Sequence, residues 1–259
     1  MVVLITRISS FEAIMEQILS FGGGVQTTAM AIMLANGEIQ ADAVVFADTG
    51  CEKPETYWYM ENYTKPMLDD EGIVFVMLKN EKPNYDGGLY EHCWRIRDVP
   101  AVMQRWCSDH YKYRVIKKAY PEAQQMIGFS FDEQFRAINQ MRKRRECKIF
   151  PLVDMQITGV DCHRIIQNYG WPIPIKSSCY ICPFQRPWQW NWLKSKHHDL
   201  FDKAVELEAR MYDRMSVKYP DLRERYGLFG GKPLWKYAKG EQLSFDLVEN
   251  SCWTGQCGN

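Results

Sequence analysis

The stretch that decides the fold is Ile18-Leu19-Ser20-Phe21-Gly22-Gly23-Gly24-Val25-Gln26-Thr27. A short apolar run stops at three glycines, and apolar residues then recur at helical spacing from Gln26 to Ala35, so the pattern predicts a strand, a tight turn and a helix. Glycines after a buried strand let the backbone approach a ligand, and the start of the next helix offers unpaired N–H groups to an anion. The turn therefore predicts a phosphate site, with a ligand-free strand–helix turn as the alternative.

Further strand signals follow along the chain. The apolar run Ala43–Ala47 ends at Asp48-Thr49-Gly50, residues 72–78 predict a third buried strand, and residues 126–129 predict a fourth. Strands that alternate with helices predict an α/β fold, a Rossmann-like doubly wound parallel sheet covered on both faces. We divide the chain into an N-terminal extension (1–16), a nucleotide-binding α/β domain (17–175) and a C-terminal extension with a cysteine knuckle, helices and a mobile tail (176–259).

Composition limits the classes of function. The 259 residues include 32 basic and 32 acidic side chains, so no global charge attracts nucleic acid or membrane, and any polyanion site must be a local patch. The start of the chain lacks the features of a secretory signal, and no apolar run reaches the roughly 20 residues that span a bilayer. Nine cysteines with one close CxxC pair suit a reducing compartment. We expect a soluble cytoplasmic protein with no membrane partner.

A second signature follows the second strand, where Asp48-Thr49-Gly50 precedes Pro54-Glu55-Thr56-Tyr57. Together with the glycine turn it resembles the PP-loop superfamily, and in particular the phosphoadenosine-phosphosulfate (PAPS) reductase-like family. The resemblance runs from about Ile18 to Cys182. It implies an adenine nucleotide alpha-hydrolase-like fold that binds ATP or a sulfonucleotide (PAPS or APS) at the carboxyl edge of the sheet, where open parallel sheets bind their ligands.

The resemblance also implies roles for individual residues. Phosphates would be held by Ser20, Gly22, Gly23, Gly24, Gln26 and Thr27, and the nucleotide pocket would be lined by Asp48, Thr49 and Gly50. Arg136 would clamp a phosphate or sulfate. The chain departs from the SGGKDS form of the PP-loop, because Gly24-Val25-Gln26 replaces the stretch that carries its Lys and Asp.

The cysteines predict a metal centre. The CxxC knuckle of Cys179 and Cys182 brings two soft thiolates together, with a spacing that fits zinc or an iron–sulfur cluster. The resemblance implies that Cys107 converges on this knuckle, and Cys162 is the other candidate ligand, with a buried helix residue as its alternative. We favour a 4Fe-4S cluster, and zinc, a redox pair or structural thiols are the alternatives. Cys51, Cys93 and Cys147 are interpreted as ordinary small residues.

Several features bear on the substrate. In the resembling family a tail cysteine followed by glycine attacks the sulfonucleotide, which implies that Cys257 is a catalytic nucleophile. An idle thiol in a terminal segment is the alternative. The basic run 141–145 and a second one from Lys112 to Lys118 could neutralise phosphates or be solvated faces. Three tryptophans alternate after the knuckle, and we interpret them as packing residues rather than as surfaces for base stacking. They are Trp188, Trp190 and Trp192.

Three functions remain open at this point. The first is ATP-dependent adenylation and sulfur transfer to tRNA, DNA or a small molecule, with an iron–sulfur cluster. The second is a sulfonucleotide reductase that uses Cys257 and a thioredoxin-like or glutathione reductant. The third is a nucleotide-binding module without turnover, which the missing PP-loop Lys and Asp favour. The sequence does not define the oligomeric state.

Overall fold

One parallel sheet organises the chain. The computed structural model describes residues 17–85, 87–141 and 147–239. Five strands pair in the order β3-β2-β1-β4-β5, and all their pairings are parallel. The strands are β1 (Gln17–Phe21), β2 (Ala43–Asp48), β3 (Val74–Lys79), β4 (Gln124–Ile127) and β5 (Lys148–Ile149). The predicted α/β Rossmann-like sheet is confirmed.

Helices fill most of the connections. The α-helices are α1 (Val25–Ala35), α2 (Pro54–Tyr59), α3 (Lys65–Asp70), α4 (Gly88–Ile96), α5 (Trp106–Ser108), α6 (Arg114–Ala119), α7 (Gln134–Met141), α8 (Pro151–Asp154), α9 (Gly159–Asn168), α10 (Pro187–Lys196), α11 (His198–Met215), α12 (Leu222–Arg225) and α13 (Leu234–Ala238). Two π-helical turns, Met60–Thr64 and Asp109–Tyr113, join neighbouring helices, and one 3₁₀ turn, Phe131–Glu133, leads into α7. Within the described ranges, no helix has both the length and the apolar composition to cross a membrane.

Both faces of the sheet are covered, as in a doubly wound fold. Leu19 and Phe21 of β1 belong to the buried cluster that also contains residues of α1, α3 and α9. Ile18, whose side chain alternates with theirs, belongs to a second cluster with Ile116 of α6. Period-two alternation along β1 therefore divides its side chains between the two helical layers.

The strand predictions need three corrections. β3 is not buried as expected: it lies at the sheet edge, pairs only with β2, and leaves Val74 50% exposed. β4 begins at Gln124, two residues before the predicted start at Met126. β5 was not predicted, because its two residues are too short to show a periodic pattern.

A separate core lies under the cysteine knuckle. It joins α4, α10 and α11 through buried side chains that include Leu89, Trp190 and Leu207. Glu208 of α11 is fully buried, and its carboxylate accepts backbone N–H groups of Leu228, Leu234 and Trp235 at 2.8, 2.8 and 3.0 Å. Burial raises the pKa of Glu208. This carboxylate ties the segment before α13 to α11.

Candidate functional site

The carboxyl ends of the strands bring the two sequence signatures to one edge of the sheet. Phe21 pairs with Phe46 and Ser20 pairs with Ile127, so the segments that follow β1, β2 and β4 leave the sheet side by side. The glycine turn 22–24 follows β1, and Thr49-Gly50 follows β2. This is the edge at which the sequence places a nucleotide.

The glycine turn is tightly enclosed. Gly23 has φ +69°, in the left-handed region that favours glycine, and a Cβ there would lie 2.6 Å from Thr56 Cγ2. A Cβ on Gly24 would lie 2.9 Å from Ser177 Oγ. The turn is therefore flanked by the first turn of α2 on one side and by the segment before the knuckle on the other.

The start of α1 is open to an anion. No side chain caps this helix, whose N-cap residue is Gly24. The Thr27 hydroxyl forms its hydrogen bonds within the turn. It accepts the Gly22 N–H at 3.2 Å and can donate to the Gly24 carbonyl at 3.2 Å. Gln26 and Ser20, two further predicted phosphate residues, are partly exposed. The backbone amides and the dipole of α1 are thus the main groups that the turn offers to a phosphate.

Asp48 organises the second signature. Its Oδ1 accepts the Gly50 N–H at 2.8 Å and the Tyr57 hydroxyl at 2.6 Å, while Lys79 Nζ lies 3.5 Å from Oδ2. Burial, followed by the bond to Asp48, raises the pKa of Tyr57. The predicted pocket residue Asp48 therefore fixes the loop after β2 and its connection to α2.

A cavity of about 240 Å³ lies beside this loop. Two of the three predicted pocket residues, Asp48 and Gly50, contribute to its wall. The complete lining consists of Asp48, Gly50, Lys79, Asn80, Tyr85, Gly87, Gly88 and Tyr111. The cavity extends from the end of β2 towards the end of β3.

The knuckle is attached to the loop after β2. Glu52 and Cys179 form an antiparallel β-bridge, and the Tyr180 N–H donates to the Cys51 carbonyl at 2.9 Å. Cys179 Sγ lies 3.2 Å from Thr49 Oγ1. A predicted metal ligand and a predicted pocket residue are therefore in contact.

Three of the four predicted ligands lie close together. Burial raises the pKa of the Cys107 thiol, and Cys179 is the next cause. Burial also raises the pKa of Cys182 to about 12, followed by Cys179 and, more weakly, Cys107. The charge of Cys179 therefore acts on both of the other thiols, and that of Cys107 acts on Cys182.

Cys162 is not brought to the other three. It is fully buried in α9, within the core that covers the sheet. Burial raises its pKa to about 12, and the charges that act on it belong to Asp132, Asp161 and Glu133 rather than to any cysteine. The structure thus places Cys162 as a buried helix residue, the alternative that the sequence left open.

Sequence reasoning missed two neighbours of the thiols. Cys51 is almost fully buried, and its pKa is raised by burial and then by Cys179. The pKa of Cys93 is raised by burial and then by Cys107. Neither residue forms a motif with the knuckle, so only the fold shows their proximity.

An ion pair between the buried Glu52 and the partly exposed Lys112 adjoins Cys179. Lys112 Nζ donates to Glu52 Oε1 at 3.0 Å, and Cys179 Sγ lies 3.7 Å from the same oxygen. Burial acts to lower the pKa of Lys112, but Glu52 and then Cys179 raise it above its ordinary value. Lys53 is also buried, with Nζ 5.4 Å from the centre of the Trp192 ring, and burial lowers its pKa to about 8.

The remaining predicted residues are Arg136, the tryptophans after the knuckle, Cys257 and the basic run. Arg136 pairs with Glu133 and lies 4.2 Å over the Phe129 ring, so its guanidinium is already engaged at the edge of the sheet. Trp190 is fully buried, whereas Trp188 is 50% exposed. Cys257, the catalytic nucleophile of the reductase hypothesis, and basic residues 142–145 lie outside the described residues.

No set of three or more His, Cys, Asp or Glu side chains in the described ranges is arranged to hold a single metal ion. The thiols of Cys107, Cys179 and Cys182 are half-buried, and Cys179 contacts Glu52 of the Glu52–Lys112 pair. Soft thiolates of this kind suit an iron–sulfur cluster, in which several iron atoms share the ligands.

Comparisons with known proteins give limited matches. No family model matches the chain. It is 25% identical over 213 residues to an uncharacterised protein of Methanocaldococcus jannaschii, a match that covers 76% of this chain and 49% of the other. The chain thus spans about half the length of that curated relative. Among solved structures, it is similar to the U34-tRNA thiolase NcsA from Methanococcus maripaludis with its 4Fe-4S cluster, at 12% identity and a TM-score of 0.42, covering 95% of this chain and 77% of that one.

Proposed function

We propose that this chain is an adenine-nucleotide-dependent enzyme of the PP-loop type. It uses ATP to adenylate an oxygen of an acceptor and then transfers sulfur to the activated atom. The acceptor we favour is tRNA or DNA. An iron–sulfur cluster held by Cys107, Cys179 and Cys182 belongs to this proposal.

One observation carries the proposal: the loops that form the nucleotide signatures are in contact with the segment that carries the thiols. Thr49 Oγ1 is 3.2 Å from Cys179 Sγ, and Ser177, two residues before that cysteine, closes against Gly24. A nucleotide on the glycine turn and a group held by the thiols would therefore lie side by side. Sulfur transfer to an adenylated substrate requires this proximity, because sulfur attacks the atom that carries the adenylated oxygen.

The glycine turn supports the adenylation step. Backbone amides at the uncapped start of α1 would stabilise the charge that grows on the departing pyrophosphate when the acceptor oxygen attacks the α-phosphorus. The acceptor then carries AMP as a leaving group. Hydrosulfide can displace AMP, forming the bond to sulfur as the bond to oxygen breaks, without any change of oxidation state.

The donor set fits a cluster. Burial disfavours three closely spaced thiolates, and the Lys112 ammonium beside Cys179 offsets part of their charge. Such a cluster, when bound, would supply an iron site at which sulfide is delivered. Thr49 and the Glu52–Lys112 pair would position Cys179 at the edge of the nucleotide pocket.

Anaerobic purification followed by iron, zinc and acid-labile sulfide analysis tests the cluster. Iron and sulfide should be present in wild type and lost in Cys179→Ala, and zinc alone would overturn the cluster. The reaction is then followed as release of AMP and pyrophosphate from ATP in the presence of sulfide and either tRNA or DNA.

The outcomes separate the three hypotheses. Acceptor-dependent AMP release that survives Cys257→Ser supports sulfur transfer. Sulfite release from a sulfonucleotide that depends on Cys257 would replace the proposal with the reductase. Nucleotide binding without turnover on any acceptor would leave a binding module.

A further inference from the structure

We propose that Glu52 supplies an oxygen ligand to the metal group held by Cys107, Cys179 and Cys182, through its Oε2 atom. This inference rests on the cluster in the proposed function and adds to it the fourth ligand, which the sequence leaves open and which incoming sulfide would replace. The CxxC spacing gives no indication of this glutamate.

The first observation is an unpartnered buried oxygen. Glu52 is only 4% exposed. Its Oε1 accepts a hydrogen bond from Lys112, whereas Oε2 is buried and has no hydrogen-bond partner among the described residues. A buried carboxylate oxygen without a partner is costly, because it loses its hydration and gains nothing in return. A bound cation would provide the missing partner.

The second observation is the fixed position of the carboxylate beside the thiols. The bridge between Glu52 and Cys179, together with the bond from Tyr180 to the Cys51 carbonyl, holds the two backbones together. Glu52 Oε1 is 3.7 Å from Cys179 Sγ. The backbone therefore delivers this side chain to the cysteines.

The third observation concerns charge. Lys112 engages one oxygen of Glu52 and places a positive charge beside it, which leaves the other oxygen as a donor. An ionised carboxylate is an ordinary metal ligand, and a hydrogen bond from a neighbouring side chain commonly orients such a ligand. Lys112 would act as this positioning residue.

The chain provides a matched control in Glu55, three residues later. Its Oε1 pairs with His197 Nε2 at 2.7 Å, and its Oε2 also lacks a hydrogen-bond partner in the described part of the chain. Its side chain is 35% exposed, against 1% for that of Glu52. Glu55→Gln therefore tests the removal of a neighbouring carboxylate whose hydrogen-bond partner is a histidine rather than a thiol.

The test uses full-length protein labelled with ¹³C at the glutamate carboxyl carbon. After anaerobic reconstitution and reduction, pulsed EPR measures the coupling between ¹³C and the cluster. We expect this coupling in wild type and in Glu55→Gln, and its loss in Glu52→Gln. In Glu52→Gln we also expect conversion to a three-iron cluster on mild oxidation to be at least about tenfold faster, since the fourth iron loses a ligand.

The results separate this inference from the proposed function. A wild-type cluster without ¹³C coupling refutes the Glu52 ligand alone, and this measurement does not require any variant to fold. A coupling that persists in Glu52→Gln assigns it to another glutamate and also refutes the inference. Wild-type protein that binds no iron refutes the cluster and its proposed ligand together.

Discussion

Replacing Gly23 by alanine tests the geometry of the glycine turn. Alanine in the left-handed region, at φ +69°, costs about 1–2 kcal/mol. Its Cβ would also lie 2.6 Å from Thr56 Cγ2, and such overpacking typically costs about 1–3 kcal/mol. The reduced freedom of the unfolded chain returns about 0.4–1 kcal/mol. We expect a net loss of about 2–4 kcal/mol in the free energy of unfolding.

Gly37 separates the two contributions. It has φ +74°, yet a Cβ added there would meet no atom within 4 Å. Gly37→Ala thus carries the backbone cost alone, and we expect a loss of about 1 kcal/mol. The difference between the two variants measures the collision with Thr56.

Urea unfolding of both variants provides the assay. Thr56→Ser removes the colliding methyl group, so it should recover the steric part of the loss in the Gly23→Ala background and none of it in the Gly37→Ala background. ATP affinity, measured by calorimetry, should fall in Gly23→Ala and remain unchanged in Gly37→Ala. Equal losses of stability at the two glycines, or no recovery with Thr56→Ser, would refute the described contact between the turn and α2.

Three further predictions follow from buried groups. Burial lowers the pKa of Lys53 from its ordinary value of 10.5 to about 8, so between these values the unfolded chain binds a proton that the folded chain does not. Across that pH window, the free energy of unfolding of wild type, measured by urea titration, should therefore rise with pH relative to that of Lys53→Met. Parallel pH profiles of the two proteins would contradict this prediction. Cys162→Ala should keep the iron content of wild type, whereas Cys107→Ala should lose iron; equal loss would return Cys162 to the ligand set. Because the pKa of Glu208 is raised from 4.5, wild-type stability should fall as pH rises above that value relative to Glu208→Gln, and an identical pH profile would refute the effect.

The parts of the fold that depend on local sequence could be predicted. The run from Ile18 to the glycines contains the strand, the stop and the helix start within a few residues, and the structure has all three. The exposure of β3 could not be predicted in the same way. Its apolar sequence suits a buried strand, but its burial depends on its place at the edge of the sheet, which is set by pairings distant in sequence.

The same limit applies to the site. Asp48, Thr49 and Gly50 follow a strand and could be placed at the carboxyl edge from the sequence. Glu52 could not be assigned to the thiols, because 127 residues separate it from Cys179 and neither residue belongs to a shared motif. Cys162 shows the opposite case. It has the residue type of a metal ligand, but it lies in α9.

A short segment links the two halves of the site. Ser177 closes against Gly24, and Cys179 contacts Thr49, so residues two positions apart touch the turn and the loop after β2. Two residues of extended chain span at most about 7 Å. A phosphate that shifted the glycine turn would press on Ser177, and the backbone would carry this displacement to Cys179, whose neighbour Tyr180 is anchored to Cys51. Under the proposed function, this segment would therefore connect a nucleotide on the glycine turn to the thiol of Cys179.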